Sequence, residues 1–312
     1  MNNINNKTYL ICDIGNAYIK AIHNNNKVTF PALLTKNSHF NNKSNILKYN
    51  DKESIIGYGI YNIKTEKCDR PEILSYILAA AAKCSDSNNI TVDYLVLALP
   101  LGQYKVYTEK LKSSLEAQMK HEFNFNNRDI TLEYKNIIIL PEAISAFYAV
   151  RDKVMNLSSD TLIIDVGGGT IDIVLIDNDG NANKPKTINL GSIKLLQHIA
   201  TYLEENLTGI GVVHLEKVQQ YLKSGFFYNG NAYNLDNSLV YAYEDIQYII
   251  QQLNSYYSTE LKTSNVVIID TLGILYSTLE KEFKSNNMVH IDDSFSNAYG
   301  MEIMIKNMLG IN

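Results

Sequence analysis

Two segments of like chemistry lie about half a chain apart: Asp13-Ile14-Gly15-Asn16-Ala17-Tyr18-Ile19-Lys20 and Asp165-Val166-Gly167-Gly168-Gly169-Thr170-Ile171-Asp172. Each opens at the end of an apolar, β-branched run, Tyr9-Leu10-Ile11-Cys12 and Thr161-Leu162-Ile163-Ile164, short enough to be a buried strand. Each run delivers a carboxylate at its C-terminal end. The glycines that follow let backbone N–H groups approach an anion with no Cβ in the way. Phosphate suits such a nest, but an Asp beside phosphate repels it unless a cation intervenes. Asp13 and Asp165 therefore read as ligands, through water, of a Mg²⁺ that keeps most of its hydration shell. Lys20, seven residues after Asp13, falls on the returning strand, where a hairpin brings its ammonium back to the same phosphates. The chemistry implied is nucleotide hydrolysis.

Alternative readings stand beside these. Asp-x-Gly-Asn is also a good turn between two strands, and taken alone the first segment reads equally as that. The second is harder to explain so, because each glycine in a regular element costs roughly 0.5–1 kcal/mol relative to Ala. A third segment, Asn136-Ile137-Ile138-Ile139-Leu140-Pro141-Glu142-Ala143, reads as a buried strand, a proline at a strand-to-helix junction, and a helix beginning at or near Glu142. Glu142 there would orient the attacking water, or simply complement the helix dipole.

The order of these motifs, Asp13-x-Gly15-Asn16-x-x-x-Lys20, Leu140-Pro141-Glu142-Ala143 and Asp165-x-Gly167-Gly168-Gly169-Thr170-x-Asp172, resembles the actin and heat-shock-chaperone ATPase superfamily. Within it, Asp-Ile-Gly-Asn with a Lys seven on is most similar to the bacterial plasmid-segregation actins of the ParM and AlfA kind. The late segment Asn297-Ala298-Tyr299-Gly300 resembles the second connecting helix, where small residues allow close helix crossing. The resemblance implies an α/β actin-like fold of two ribonuclease H-like domains hinged around a nucleotide cleft. It implies domain I over 1–150, domain II over 151–294, and a C-terminal helix over 295–312 returning to domain I. It assigns catalysis to Glu142, Asp165 and Asp13, and phosphate binding to Gly15, Asn16, Lys20, Gly167, Gly168, Gly169 and Thr170. It places the nucleoside near Glu216, Lys217 and Gly273. Glu216 and Lys217 read more readily as a solvated helix face, and only Gly273 remains where relatives carry two or three glycines. Side chains at Asp270, Thr271 and Leu272 would crowd a nucleoside unless the loop is reshaped. Implied cofactors are ATP, with GTP possible, and Mg²⁺. Implied partners are further copies of the chain, head to tail, and a ParR-like adaptor bound to centromere-like DNA.

The remaining elements must position these groups. The pattern predicts strands near 8–12, 17–23 and 27–31, a loop or small subdomain from about 35 to 52, and a helix over 71–82. It then predicts a strand over 92–99, a helix over 106–121 and the strand 136–140. The second half follows a similar plan, with strands within 161–176 and near 187–190, and helices at about 192–206, 214–223 and 242–257. A strand over 266–270, a helix over 274–284 and a last helix from about 295 complete it.

Composition bounds the function. At 312 residues and 46% hydrophobic content the chain suits two soluble domains. Its apolar runs stop far short of the roughly 20 residues that cross a bilayer. A polar start, Met1-Asn2-Asn3-Ile4-Asn5-Asn6-Lys7, predicts no secretory signal. Cys12, Cys68 and Cys84 lack metal-ligand spacing and read as reduced structural thiols, which predicts a cytoplasmic protein. A net charge of −5 with no basic cluster predicts no direct DNA binding, hence the adaptor. Short asparagine clusters such as Asn24-Asn25-Asn26, Asn41-Asn42 and Asn124 to Asn127 mark loops. A chaperone would need a substrate domain for which there is no room. The alternatives that remain on this fold are a non-polymerising ATPase or small-molecule kinase, and a degenerate nucleotide-binding scaffold.

Overall fold

Strand after strand in the first half is apolar on alternate faces, and the computed structural model shows what those faces meet. It describes residues 7–36, 45–61, 66–154, 158–283 and 287–311. The expectations for the polar start, for Asn41-Asn42, for the middle of the 35–52 stretch and for Lys284 at the end of the 274–284 helix lie outside them.

The first unit comprises residues up to 152 together with 295 onward, and the second runs from 153 to 294. In chain order the first unit has β1 (Tyr9–Ile14), β2 (Tyr18–His23), β3 (Asn26–Pro31), β4 (Leu34–Thr35), β5 (Ile46–Tyr49), β6 (Lys52–Ile56), α1 (Ile73–Cys84), β7 (Asn89–Leu99), α2 (Leu101–Glu116), β8 (Lys120–Phe125), β9 (Arg128–Pro141) and α3 (Ile144–Val150). Its sheet runs β3-β2-β1-β7-β9-β8-β5-β6-β4. The strands β1, β7 and β9 are parallel, and the meander β1-β2-β3 is antiparallel.

The period of two decides which face each residue joins. Leu10, Cys12 and Ile14 of β1, with Leu95, Leu97 and Leu99 of β7, pack into the larger core, which is filled by Tyr76, Ile77 and the alanines Ala79–Ala82 of α1. Between them in sequence, Ile11, Val96 and Ala98 turn to the opposite face. Burial on both faces explains why these strands are nearly continuous apolar runs.

The second unit has β10 (Thr161–Val166), β11 (Ile171–Ile176), β12 (Ala182–Ile188), α4 (Ser192–Asn206), α5 (Leu215–Ser224), β13 (Phe226–Tyr228), β14 (Asn231–Tyr233), α6 (Tyr243–Tyr257), α7 (Glu260–Thr263), β15 (Asn265–Ile269), α8 (Ile274–Phe283) and β16 (Met288–Ile291). Its main sheet runs β12-β11-β10-β15-β16, again an antiparallel meander followed by parallel strands. Leu162, Ile164, Val266 and Ile268 share a core with Leu196, Ile199 and Leu203 of α4 and with Ile249 and Leu253 of α6. The last helix, α9 (Ser296–Leu309), belongs to the first unit, where Ala298, Met301 and Ile305 cover Ile11, Ile22, Val96, Ala98 and Leu140.

The asparagine clusters have a conformational cause. Asn24-Asn25, Asn50-Asp51 and Asn126-Asn127 each form a two-residue hairpin loop with both residues at positive φ, as does Asn229-Gly230. Such turns match the right-handed twist of the flanking strands and favour Asn, Asp and Gly.

Several expectations are corrected. The helix predicted over 106–121 is α2, which begins at Leu101 directly after Pro100 and ends at Glu116. The residues beyond it form β8, where His121, Phe123 and Phe125 alternate inward. The strand predicted over 136–140 extends back to Arg128. Within the stretch expected as a loop or small subdomain from about 35 to 52, Ile46–Tyr49 is a strand of the first unit's sheet. The hairpin β13-β14 and strand β16 were not predicted.

Among the described residues no helix is long and apolar enough to cross a membrane. The cysteines are unpaired. Burial pushes the Cys84 thiol up to about 12 and Cys12 well above its usual value, so neither is a thiolate near neutral pH.

Candidate functional site

The candidate groups of the first unit gather at the carboxyl ends of its parallel strands. Asp13 stands at the end of β1 and Glu142 just past the end of β9, two strands apart, which is about 10 Å at the usual strand spacing. This edge is where open α/β sheets bind ligands. In the hairpin between β1 and β2, Asp13 lies directly opposite Lys20, and the Lys20 Nζ is 3.0 Å from the Asp13 Oδ2. The hairpin therefore returns the ammonium to the carboxylate, as the spacing of seven predicts. The Gly15 N–H donates to the Tyr18 carbonyl at 3.1 Å, and a Cβ on Gly15 would stand 2.6 Å from that oxygen. No other residue type fits the loop as it is built. The Asn16 Oδ1 is buried with no hydrogen-bond partner.

The second unit repeats this loop. Asp165 lies directly opposite Asp172, and the Gly167 N–H donates to the Thr170 carbonyl at 2.8 Å. Asp165 and Asp172 are 7% and 2% exposed, so two carboxylates share a buried cross-strand site. The Thr187 hydroxyl donates to the Asp172 Oδ1 at 2.5 Å. The start of α4 shapes the loop from behind, its Ser192 and Ile193 N–H groups donating to the Gly167 and Gly168 carbonyls at 2.9 Å each. A Cβ on Gly191 would come within 2.5 Å of the Gly168 oxygen, so this close approach needs glycine.

Glu142 is placed differently from the expectation. Pro141 ends β9 opposite Leu99, the Glu142 N–H donates to the Leu99 carbonyl at 2.8 Å, and α3 starts only at Ile144. Between them Ala143 has φ 59° and ψ −46°, and the Ile144 N–H donates to the Glu142 carbonyl at 2.6 Å. That is a γ-turn of the rare positive-φ kind, so the carboxylate sits on a sharp corner rather than in a first helical turn. Strain of this sort persists only where neighbours over-determine it. Here the Ala143 N–H donates to the Asn297 Oδ1 of α9 at 3.1 Å, and the Ser145 Oγ donates to the Pro141 carbonyl at 2.8 Å.

A partner missed in the sequence holds the Glu142 side chain. The Lys67 Nζ is 2.5 Å from the Glu142 Oε1 and donates at 3.0 Å to the Ala98 carbonyl at the end of β7. Lys67 opens a short 3-10 turn, Lys67–Asp69, in a stretch without periodicity, and nothing but its position ahead of Cys68-Asp69-Arg70-Pro71 marked it.

The nucleoside candidates lie in the second unit. Glu216 and Lys217 are exposed in the first turn of α5. Gly273, at φ 69°, closes the loop between β15 and α8. The Asp270 carboxylate does not crowd that loop, because it is 2% exposed and accepts the N–H groups of Leu272, Leu275 and Tyr276 at 3.0, 2.8 and 3.2 Å. The residue that replaces an expected glycine is thus the cap of α8. Leu272 packs against the core of its unit, which leaves the half-buried Thr271 as the remaining bulk.

The group such loops imply, a nucleotide with Mg²⁺, fits the residues present. The unsatisfied Asn16 Oδ1 and the buried carboxylates of Asp165 and Asp172 are acceptors of the kind that suit a cation and its bound waters.

Each unit thus consists of an antiparallel meander leading into parallel strands, with an Asp–Gly hairpin at their carboxyl ends, and this is the actin-like fold. Residues 12–144 match the family described as the actin-like proteins N-terminal domain. The structure is similar to a ParM from a 15-stranded filament of Clostridium botulinum, at 21% identity and TM-score 0.74, covering 97% of this chain and 99% of that one. It is similar to an archaeal actin homolog in complex with ADP, at 17% identity and TM-score 0.77, covering 96% and 99%. It is also similar to the actin-like protein Alp7A, at 14% identity and TM-score 0.72, covering 97% and 98%. No curated protein sequence matches the chain.

Proposed function

We propose that this protein is a nucleotide-dependent, filament-forming actin-like ATPase that segregates plasmid DNA through an adaptor. The observation that carries the reading is the equivalence of the two hairpins. Each has an Asp two residues before a glycine whose N–H closes onto the carbonyl three residues on, and each opposes that Asp with a charged residue, Lys20 or Asp172. A chance turn would not be built twice with the same closure. Bound Mg²⁺ supplies charge neutralisation of the phosphates.

The chain's own groups do the rest. The backbone N–H groups of the Gly15–Asn16 and Gly167–Thr170 loops would bind phosphate oxygens, Lys20 would balance charge, and Asp13 and Asp165 would hold the metal. Glu142 orients the attacking water from its γ-turn corner. Subunits joined head to tail through unlike surfaces do not close into a ring and so make filaments. With a net charge of −5, contact with DNA falls to a ParR-like partner.

Light scattering with Mg²⁺ and ATP, GTP or ADP, with phosphate release followed in parallel, tests this. A triphosphate-dependent rise followed by phosphate release is expected. In Glu142→Ala assembly survives, while phosphate release falls by about 10²- to 10⁴-fold, the usual contribution of a positioned acid or base. Unchanged phosphate release in that variant refutes the role of Glu142. Hydrolysis without assembly would point to a soluble ATPase or kinase, and silence in both assays to a degenerate scaffold.

A further inference from the structure

Lys67 is an unusual place to spend a lysine. It is 5% exposed, in a short turn rather than a helix or strand, and its ammonium lies among the ends of the central strands. Its backbone is fixed to the start of α2, where the Gln103 Oε1 accepts the Lys67 N–H at 2.8 Å. Its side chain spans from the Ala98 carbonyl, 3.0 Å away, to one oxygen of Glu142, 2.5 Å away. A buried ion pair brings little net stability, because desolvation offsets most of the attraction, so fold stability alone accounts poorly for this one. A second buried cation, Arg70, is 6% exposed, lies near enough to feel the charge of Glu142, and has its Nε without an acceptor.

Resting on the reading of Glu142 as the residue that orients water, we propose that Lys67 is its positioning residue: by tying one carboxylate oxygen to the end of β7, it leaves the other aimed at the attacking water. The γ-turn at Ala143 fixes where the Glu142 backbone stands, but its side chain still has three rotatable bonds. The side chain is 13% exposed, open enough for a water to reach one oxygen. Bonding the Oε1 to an ammonium that is itself held by the sheet removes that freedom. It also couples the orientation of the carboxylate to α2 through Gln103.

The test uses the full chain with Mg²⁺ and ATP, comparing Lys67→Met, Lys67→Gln, Lys67→Arg, Glu142→Ala and the double variant Lys67→Met/Glu142→Ala. Phosphate release per assembled subunit is expected to fall about 10- to 100-fold in Lys67→Met, in line with small misplacements of catalytic groups. The ATP concentration for half-maximal rate should change less than about threefold, since ground-state binding is untouched. Lys67→Gln, one atom shorter and uncharged, should lose a similar amount and serves if Lys67→Met does not fold. Lys67→Arg, which keeps charge and donors, should recover most of the rate. The double variant should be no slower than Glu142→Ala, because two residues acting as one unit are not additive. A wild-type rate in folded Lys67→Met or Lys67→Gln, with Glu142→Ala impaired, overturns the role of Lys67 and leaves that of Glu142. A double variant slower than Glu142→Ala by the full Lys67→Met factor shows Lys67 to be merely structural. Unimpaired Glu142→Ala overturns the underlying reading instead.

Discussion

Replacing Gly300 by alanine tests the corner that carries Glu142 without touching any charged group. Gly300 lies where α9 crosses α3, and a Cβ there would stand 1.5 Å from the Ser145 carbonyl oxygen and 2.3 Å from its carbon. Ordinary contact begins near 3.4 Å, so the helices must separate by about 2 Å, and because the obstacle is backbone no side chain can swing aside. Separation pulls the fully buried Ala298, Met301 and Ile305 away from Ile11, Val96 and Leu140. It also stretches the 3.1 Å bond from the Ala143 N–H to the Asn297 Oδ1. Overpacking of this kind costs about 1–3 kcal/mol. Leaving a buried N–H unpaired costs about 1–3 kcal/mol more. Against this, alanine is favoured over glycine in a helix by about 0.8–1.0 kcal/mol. The net expectation is a loss of about 3 kcal/mol, or about 6–12 °C in Tm for a unit of this size. Scanning calorimetry of the full chain measures it, with Ile303→Ala on the 37% exposed side of the same helix as a control expected within about 0.5 kcal/mol. Because Ser145 is the second residue of α3, phosphate release should fall as well. A Gly300→Ala protein as stable as wild type would refute the reasoning, since helix propensity alone would then have decided the outcome.

Two further outcomes are expected. Asp270→Ala strips α8 and its loop of an acceptor for three backbone N–H groups; a loss of about 1–2 kcal/mol in urea unfolding is expected, and no loss would show that water replaces the cap. His121 is buried between Tyr49 and Tyr134, its Nδ1 2.9 Å from the Tyr49 hydroxyl and its Nε2 3.1 Å from the Tyr134 hydroxyl, and burial lowers its pKa. The folded state then binds fewer protons than the unfolded one, whose histidine titrates near 6.5, so stability is full above that pH and declines as pH falls from about 6.5 toward the lowered folded value. Unfolding of wild type and His121→Gln at pH 7.5 and 5.5 checks this, with a smaller acid loss expected in the variant and an equal loss counting against it.

Much of the frame was legible because strands buried on both faces leave little ambiguity. The runs of β1, β10 and β15, the glycine hairpins after the first two and the helices α4 and α6 follow directly from apolar runs and helical periodicity. Asp13 and Lys20 were paired by a spacing of seven, which a four-residue loop converts into cross-strand partners. What escaped was decided by tertiary context. The strand β8 follows α2 with only three residues between, and its alternation is short and polar on one side. Pro141 reads as a helix start by propensity, yet pairing with Leu99 keeps it in the sheet and defers the helix to Ile144. Lys67 had no pattern to betray it, since its role depends on Ala98 and Glu142, 31 and 75 residues away. Asp270 looked like an obstacle because a missing glycine was visible in the sequence, while the three N–H groups it accepts were not.

The two hairpins show how one backbone plan can carry two different charges. Both loops close by the same glycine N–H to carbonyl bond, and both put a residue directly across from the leading Asp. In the first hairpin that residue is Lys20, so the carboxylate and ammonium are balanced within the loop, at 3.0 Å. In the second it is Asp172, and like charges directly opposite on a sheet are destabilising. Burial sharpens the difference, because charge in a low-dielectric site is screened far less than at the surface. The Thr187 hydroxyl relieves Asp172 by one hydrogen bond but brings no positive charge. The pairing across the first hairpin is thus one of opposite charges, and that across the second one of like charges. In the first, the same physics keeps the ammonium of Lys20 on Asp13 until an anion competes for it.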